Sequence, residues 1–234
     1  MKPPVSRRQF LTHSALLLLA GCSAPEPPVI RVEDYEARRR ERGLIRVACI
    51  GDSITFGAGV EDREKNNFPK KLEELLGTSF EVRNFGRNGA TLQKAGDLPY
   101  WTTDEFTAAA SFRPDVIILM LGTNDTKPQN WKDRKAFATD LRALLATFRS
   151  WKSRPKIWTC LPVPVYEAKW GINAEVLENG VIPAIFDVCT GRETPVIDLH
   201  DALSNHPEMF PDKIHPNAEG AAFMALTVYQ AIRP

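Results

Sequence analysis

From residue 44 onward, short runs with strand-like composition alternate with longer stretches in which apolar positions recur every three or four residues, and the clearest run, Asp115–Leu121, is nearly unbroken aliphatic. The runs Leu44–Ile50, Phe80–Phe85, Asp115–Leu121, Lys156–Cys160 and Pro195–Leu199 are predicted strands. Val116–Leu121 has no polar face, which predicts a strand covered by helices on both sides of a parallel sheet. Between the first two runs, Phe68, Leu72, Leu75 and Leu76 recur at helical spacing, with Asn67 as cap, Pro69 tolerated in the first turn and Gly77 as stop. A short helix is predicted to end before Pro114. Another begins near Asp133 and carries Phe137, Leu141, Leu144, Leu145 and Phe148 on one face. Gly180 and Pro183 predict a break or kink in the helical region after the fourth strand. Asn217 is expected to cap a last helix with Ala222, Ala225, Leu226, Tyr229 and Ile232 inward. Strands alternating with helices imply a parallel sheet with right-handed crossovers, here an α/β fold built as a three-layer α/β/α sandwich. Five strands suggest the flavodoxin-like order 2-1-3-4-5.

Composition narrows this picture only a little. The chain has 234 residues, 43% of them hydrophobic and 25% charged, which suits one globular domain with a tail. A net charge of +1 gives no reason to expect nucleic acid or a broad electrostatic membrane contact.

The tail carries its own signal. Ser6-Arg7-Arg8-Gln9-Phe10-Leu11 resembles the start of a twin-arginine export segment, and the apolar stretch from Ser14 to Ala20 is too short to span a bilayer. Leu19-Ala20-Gly21-Cys22 resembles a bacterial lipobox, which implies cleavage before Cys22 and lipidation of its thiol. The expected division is a signal at 1–21, a lipidated linker at 22–43 stiffened by Pro25, Pro27 and Pro28, and the folded domain at 44–234. The chain is thus expected to be an exported bacterial lipoprotein, anchored to a membrane at the periplasmic side or the cell surface. With Cys22 acylated, Cys49, Cys160 and Cys189 remain, an odd number that cannot pair completely. No cysteine–histidine cluster has zinc spacing and no carboxylates form a calcium loop, so neither metal nor cofactor is expected.

The first strand runs into Gly51-Asp52-Ser53, which places Ser53 at the carboxyl edge of the sheet, where ligands collect in such folds. Three further stretches lie just past a strand or before the last helix. They are Asn84-Phe85-Gly86-Arg87-Asn88-Gly89-Ala90-Thr91, Gly122-Thr123-Asn124-Asp125 and Asp212-Lys213-Ile214-His215. A serine hydroxyl needs a neighbouring base to become a nucleophile at neutral pH. Of the four histidines, His13 lies in the signal, and His200, His206 and His215 lie in the domain. His200 has Asp198 and Asp201 beside it, and His215 has Asp212 one turn away. The residues by themselves leave both histidines open.

All four stretches, in order, resemble the four sequence blocks of the SGNH (GDSL-type) hydrolase family, over residues 45 to 232. The resemblance implies Ser53 as nucleophile, His215 as base and Asp212 as the carboxylate that orients it. It also implies an oxyanion hole made by the backbone N–H of Ser53, the backbone N–H of Gly89 and the side-chain amide of Asn124. The sheet order is the family's as well. Asp52 and Asp125 receive no catalytic role and are read as side chains bonded to nearby backbone N–H groups.

Trp101, Trp131 and Trp170 fall in the loops after strands two, three and four, together with Tyr100 and Tyr166. An indole suits the apolar face of a sugar ring, whereas an acyl-chain tunnel would want Leu, Ile and Phe, in which these loops are poor. Tyr100-Trp101 and Leu161-Pro162-Val163-Pro164 also resemble the carbohydrate-esterase branch of the family, with its sialate and xylan acetylesterases. The expected activity is hydrolysis of short-chain O-acyl esters of carbohydrates, acetyl above all, through an acyl-enzyme. Its partners are then an acetylated carbohydrate and, through the anchor, a membrane. Two alternatives stand beside it. One is a lysophospholipase or other lipid esterase of the same mechanism, and the other is a catalytically inactive glycan-binding module.

Overall fold

The computed structural model describes residues 41, 43–189 and 194–232. The signal, Cys22 and the proline-rich spacer lie outside the described residues. The first run of aliphatics becomes β1 (Ile45–Gly51), which feeds the short helix α1 (Ser53–Phe56) and then α2 (Arg63–Asn66) and α3 (Phe68–Leu76). Asn67 caps α3 by accepting the N–H of Lys70 at 3.0 Å, as expected of an asparagine before a helix. There follow β2 (Phe80–Gly86), α4 (Asp104–Phe112), β3 (Val116–Met120), α5 (Arg134–Ser150) and β4 (Lys156–Cys160). The irregular helical region consists of α6 (Ala174–Val176), a π turn (Leu177–Val181) and α7 (Ile182–Val188). The chain closes with β5 (Val196–Ile197), α8 (Leu199–Leu203) and α9 (Ala218–Ile232).

All five strands are parallel, in the order β2-β1-β3-β4-β5. Successive residues of a strand point to opposite faces, so each aliphatic run feeds two cores. Ala48, Ile50, Ile117 and Leu119 pack with α4, α5 and α7 on one face. Val47, Cys49, Ile118 and Met120 pack with α3 and α9 on the other. Trp158 of β4 is the largest fully buried side chain. Each such apolar side chain contributes roughly 1.5–3 kcal/mol by leaving water. The three-layer sandwich and the strand order are as expected from the sequence pattern.

Three details differ. The fifth strand is two residues long because Asp198 caps a helix at once, accepting the N–H of Asp201 at 2.8 Å, and Leu199 becomes helical. Leu75 and Leu226 are exposed. Ala225 and Ile232 of α9 face inward as expected and Tyr229 packs half-buried against the same core, but the rest of the inward face is Gly220, Ala221, Met224 and Val228, and Leu226 points out. An almost wholly apolar helix gives the sequence pattern no polar face from which to orient it. At the outer edge, the Phe80 N–H bonds the Gly77 carbonyl, the Val82 N–H bonds Glu73 Oε1 and the Gly86 N–H bonds Asn84 Oδ1.

Candidate active site

β1 ends at Gly51, where a Cβ would come within 2.1 Å of Thr55 Oγ1 and 2.5 Å of the Met120 carbonyl. Only glycine lets the strand turn this tightly under α1. Asp52 caps α1, its Oδ1 accepting the Ile54 N–H at 2.9 Å, and the next residue is Ser53.

Ser53 Oγ lies 2.9 Å from His215 Nε2, and His215 Nδ1 lies 2.8 Å from Asp212 Oδ2. With the ring proton on Nδ1, the hydroxyl donates to the imidazole and the imidazole donates to the carboxylate. The other oxygen of Asp212 accepts the backbone N–H groups of Ile214 at 2.9 Å and His215 at 2.7 Å. One turn, with Lys213 at φ 74°, therefore holds both the base and its orienting carboxylate. Partial burial works to raise the Asp212 carboxyl, but the hydrogen bonds from His215 and Ile214 outweigh it and hold the group below the usual carboxylate range.

The other histidines are engaged elsewhere. His200 Nδ1 lies 3.2 Å from the Pro162 carbonyl, and His206 faces Glu208. Of the two carboxylates beside His200, Asp198 is spent on the cap of α8.

Of the other two expected oxyanion donors, Gly89 sits at φ 81° and Asn124 opens a 3₁₀ turn at the end of β3. Asn124 is 4% exposed. One of its two side-chain amide hydrogens points to the Ala90 carbonyl at 3.2 Å, and its backbone carbonyl accepts Asn130 Nδ2 at 2.9 Å. Asp125 is fully buried, and its two oxygens accept the N–H groups of Leu92 at 2.9 Å and Gln93 at 2.8 Å. Asp52 does bond a nearby N–H, as expected. The partners of Asp125, by contrast, lie in a loop more than thirty residues back. Burial pushes Asp125 up to about 7 against the opposing pull of those two N–H groups, and the neighbouring Asp52 adds to the rise. Burial likewise pushes Asp52 up to about 6, opposed by the Ile54 N–H and by His215. The Thr123 hydroxyl is near Asp52 but makes no hydrogen bond of ordinary geometry with it, so Asp52 Oδ2 stays without a partner.

The three loop tryptophans separate. Trp170 is 58% exposed, stands at φ 51°, and its ring centroid is 5.6 Å from that of His215. Trp101 donates its indole N–H to the Leu92 carbonyl at 2.8 Å and lies between Lys94 and Phe106. Trp131 packs on Phe137 and on Gly180 of the π turn, where a Cβ would come within 2.5 Å of its ring. Of the three tryptophans expected to contact sugar, Trp101 and Trp131 are half-buried with their rings packed against neighbours, and Trp170 alone adjoins the histidine. Tyr100 is also buried, its hydroxyl bonded to the Phe85 carbonyl at 2.7 Å. Cys49, Cys160 and Cys189 are free buried thiols whose burial raises them above the ordinary thiol range. Among the described residues, no three His, Cys, Asp or Glu side chains are grouped so as to hold a metal ion.

The sequence profile of the GDSL-like lipase/acylhydrolase family matches residues 49–223, from within β1 into α9. The chain belongs to that family. An acetylxylan esterase from Xylanibacter ruminicola is 36% identical over 207 residues, which are 81% of this chain and 43% of that protein. The chain thus spans less than half the length of this curated relative. Among solved structures, the aryl esterase of M. smegmatis is similar with a TM-score of 0.65 and 20% identity, over 80% of this chain and 97% of that one. A carbohydrate acetylesterase from Sinorhizobium meliloti is similar with a TM-score of 0.62 and 19% identity, again over 80% of this chain and 97% of that one. At such identities the likeness is one of fold.

Proposed function

We propose that this GDSL-family hydrolase is a serine esterase that removes short acyl groups, acetyl first, from carbohydrate. The observation that carries the reading is the hydrogen-bonded chain Ser53–His215–Asp212, with contacts of 2.9 and 2.8 Å. Ser53 Oγ attacks the ester carbonyl carbon as its proton passes to His215 Nε2, and Asp212 stabilises the imidazolium. The carbonyl oxygen becomes an oxyanion and is met by the N–H groups of Ser53 and Gly89 and by the free amide hydrogen of Asn124. Collapse breaks the bond to the sugar oxygen, which leaves as an alcohol with the proton from Nε2. Water, deprotonated by the same nitrogen, then attacks the acyl-enzyme, releasing the acid and restoring Ser53.

Two observations favour a sugar. Trp170 presents a mostly exposed indole beside the base, and a relative sharing 36% of its residues over this domain is an acetylxylan esterase. Export and anchoring through Cys22 belong to the same proposal and rest on Leu19–Cys22. Turnover of aryl esters of increasing chain length, with Ser53→Ala as control, tests the chemistry. Acetyl should be preferred to octanoyl, and acetylated xylo-oligosaccharides to lysophospholipids. A kcat/KM rising through eight carbons would establish a lipid esterase instead. Fatty-acid labelling tests the anchor: label should be absent from Cys22→Ala, and label persisting there would place the lipid elsewhere.

A further inference from the structure

We infer that Asp125 is the positioning residue of the oxyanion site, fastening the loop that carries Gly89 to the turn that carries Asn124. This rests on the proposed role of those two donors. The donors come from different loops, one after β2 and one after β3, and no β-ladder joins them at that point. Asp125 follows Asn124 directly, and its two oxygens take the adjacent N–H groups of Leu92 and Gln93, three and four residues beyond Gly89. A carboxylate is the side chain that offers an acceptor to each of two neighbouring N–H groups. Asparagine at this position would set an NH2 group against one of them.

Asp125 is fully buried, so water does not compete for these bonds. Holding a carboxylate there is costly: burial shifts the group toward its neutral form, and Asp52 opposes its charge. A link needed only for packing is made more cheaply by apolar contacts. The bonds around Asp125 serve the same connection. Asn130 donates to the Asn124 carbonyl and to Asp97, and accepts from the Asp97 N–H at 2.8 Å, while Gln93 Nε2 bonds the Asn130 carbonyl at 2.9 Å. The loop from Arg87 to Pro99 is otherwise irregular, with a single bridge between Thr91 and Pro99. A shift of about 1 Å in a catalytic donor is enough to cost on the order of a hundredfold in rate.

Asp125→Asn should lower kcat about 10- to 100-fold and leave KM within about threefold, because the hole acts on the transition state rather than on bound ester. A short-chain trifluoromethyl ketone, which adds Ser53 Oγ and places an oxyanion in the hole, should lose affinity by the same factor. A merely structural role would lower the melting temperature and leave kcat and the inhibition constant of the folded enzyme unchanged, and that result overturns the assignment. Should Asp125→Asn fail to fold, Asn130→Ala reads the same link without touching the buried acid; kcat and ketone affinity should fall together, and wild-type values for both would overturn it. Asn124→Ala separates the two levels. Wild-type kcat in that variant refutes the oxyanion assignment itself. An impaired Asn124→Ala beside a normal Asp125→Asn refutes only the role of Asp125.

Discussion

The two sides of Ser53 are held by different means. On the base side, Asp212 and His215 share one turn, and the carboxylate bonds the histidine through both its ring and its backbone N–H. This side is local in sequence, partly open to water, and roofed by an exposed indole. On the proposed oxyanion side, the Asn124 amide reaches the Ala90 carbonyl and Asp125 reaches the N–H groups of Leu92 and Gln93, all in a separate stretch of chain, and Asp125 is sealed from solvent. The base side is made by a short motif and the oxyanion side by the fold. Substitutions on the first should therefore act on chemistry with little effect on stability, and substitutions on the second should act on both.

The largest effect belongs to the base side. His215→Ala should lose about 10⁴-fold or more in kcat with a melting temperature close to wild type, whereas His200→Ala should stay near normal. Steady-state rates on an activated acetyl ester decide between them, and the reverse ranking would mean that the base is misassigned. Asn124→Ala comes next, with a loss of about a hundredfold or more in kcat at modest KM change. Its calorimetric melting point should also fall, since the amide ties two loops together; an effect confined to KM would contradict the role. Trp170→Ala should be smaller and selective. It should cost about three- to tenfold in kcat/KM on acetylated xylo-oligosaccharide and little on a small aryl acetate, and equal losses on both would remove the sugar from its role.

The smallest effect is in the pH dependence of stability, where the two sides have opposite signs. Asp212 is held below its ordinary range, so its contribution is present at neutral pH and is lost as pH falls. Asp52 and Asp125, raised from 3.8 to about 6 and about 7, keep their protons in the folded chain after the unfolded chain has lost them. Their contribution is full below about pH 4 and is lost as pH rises toward 7. Asp125→Asn should therefore flatten the decline in melting temperature between pH 5 and pH 8 by on the order of a few degrees. A slope identical to wild type would show that the buried acid does not titrate there.

The same division explains what the sequence revealed. Val116–Met120 was readable as a strand because a covered parallel sheet demands unbroken apolar runs. The spacing left His200 and His215 both open, and the family's sequence blocks singled out Ser53, Asp212 and His215, which the fold brings into hydrogen-bond contact. The partners of Asp125 were not readable, since a backbone N–H in an irregular loop leaves no trace in residue type. Trp101, Trp131 and Trp170 could not be told apart for a related reason: an aromatic residue in a strand-end loop has the same letter whether it faces solvent or packs the loop down. Trp170 stands in a left-handed backbone beside Gly171, with its ring exposed. The face of α9 was judged only in part, Ala225, Tyr229 and Ile232 correctly, because Ala222 and Leu226 compete with Ala221, Met224 and Val228 on equal terms.

The outer edge of the sheet has a consequence for how these molecules behave in a crowd. β2 is seven residues long and ends the sheet, the arrangement most prone to recruit a strand from another molecule. Along it, the N–H groups of Phe80, Val82 and Gly86 are already bonded to Gly77, Glu73 and Asn84. An incoming strand would have to displace those partners before it could form a continuous ladder. Glu73 thereby acts as a guard against fibrous self-association: concentrated Glu73→Ala protein should precipitate sooner on standing than wild type, with its hydrolytic rate intact until it does.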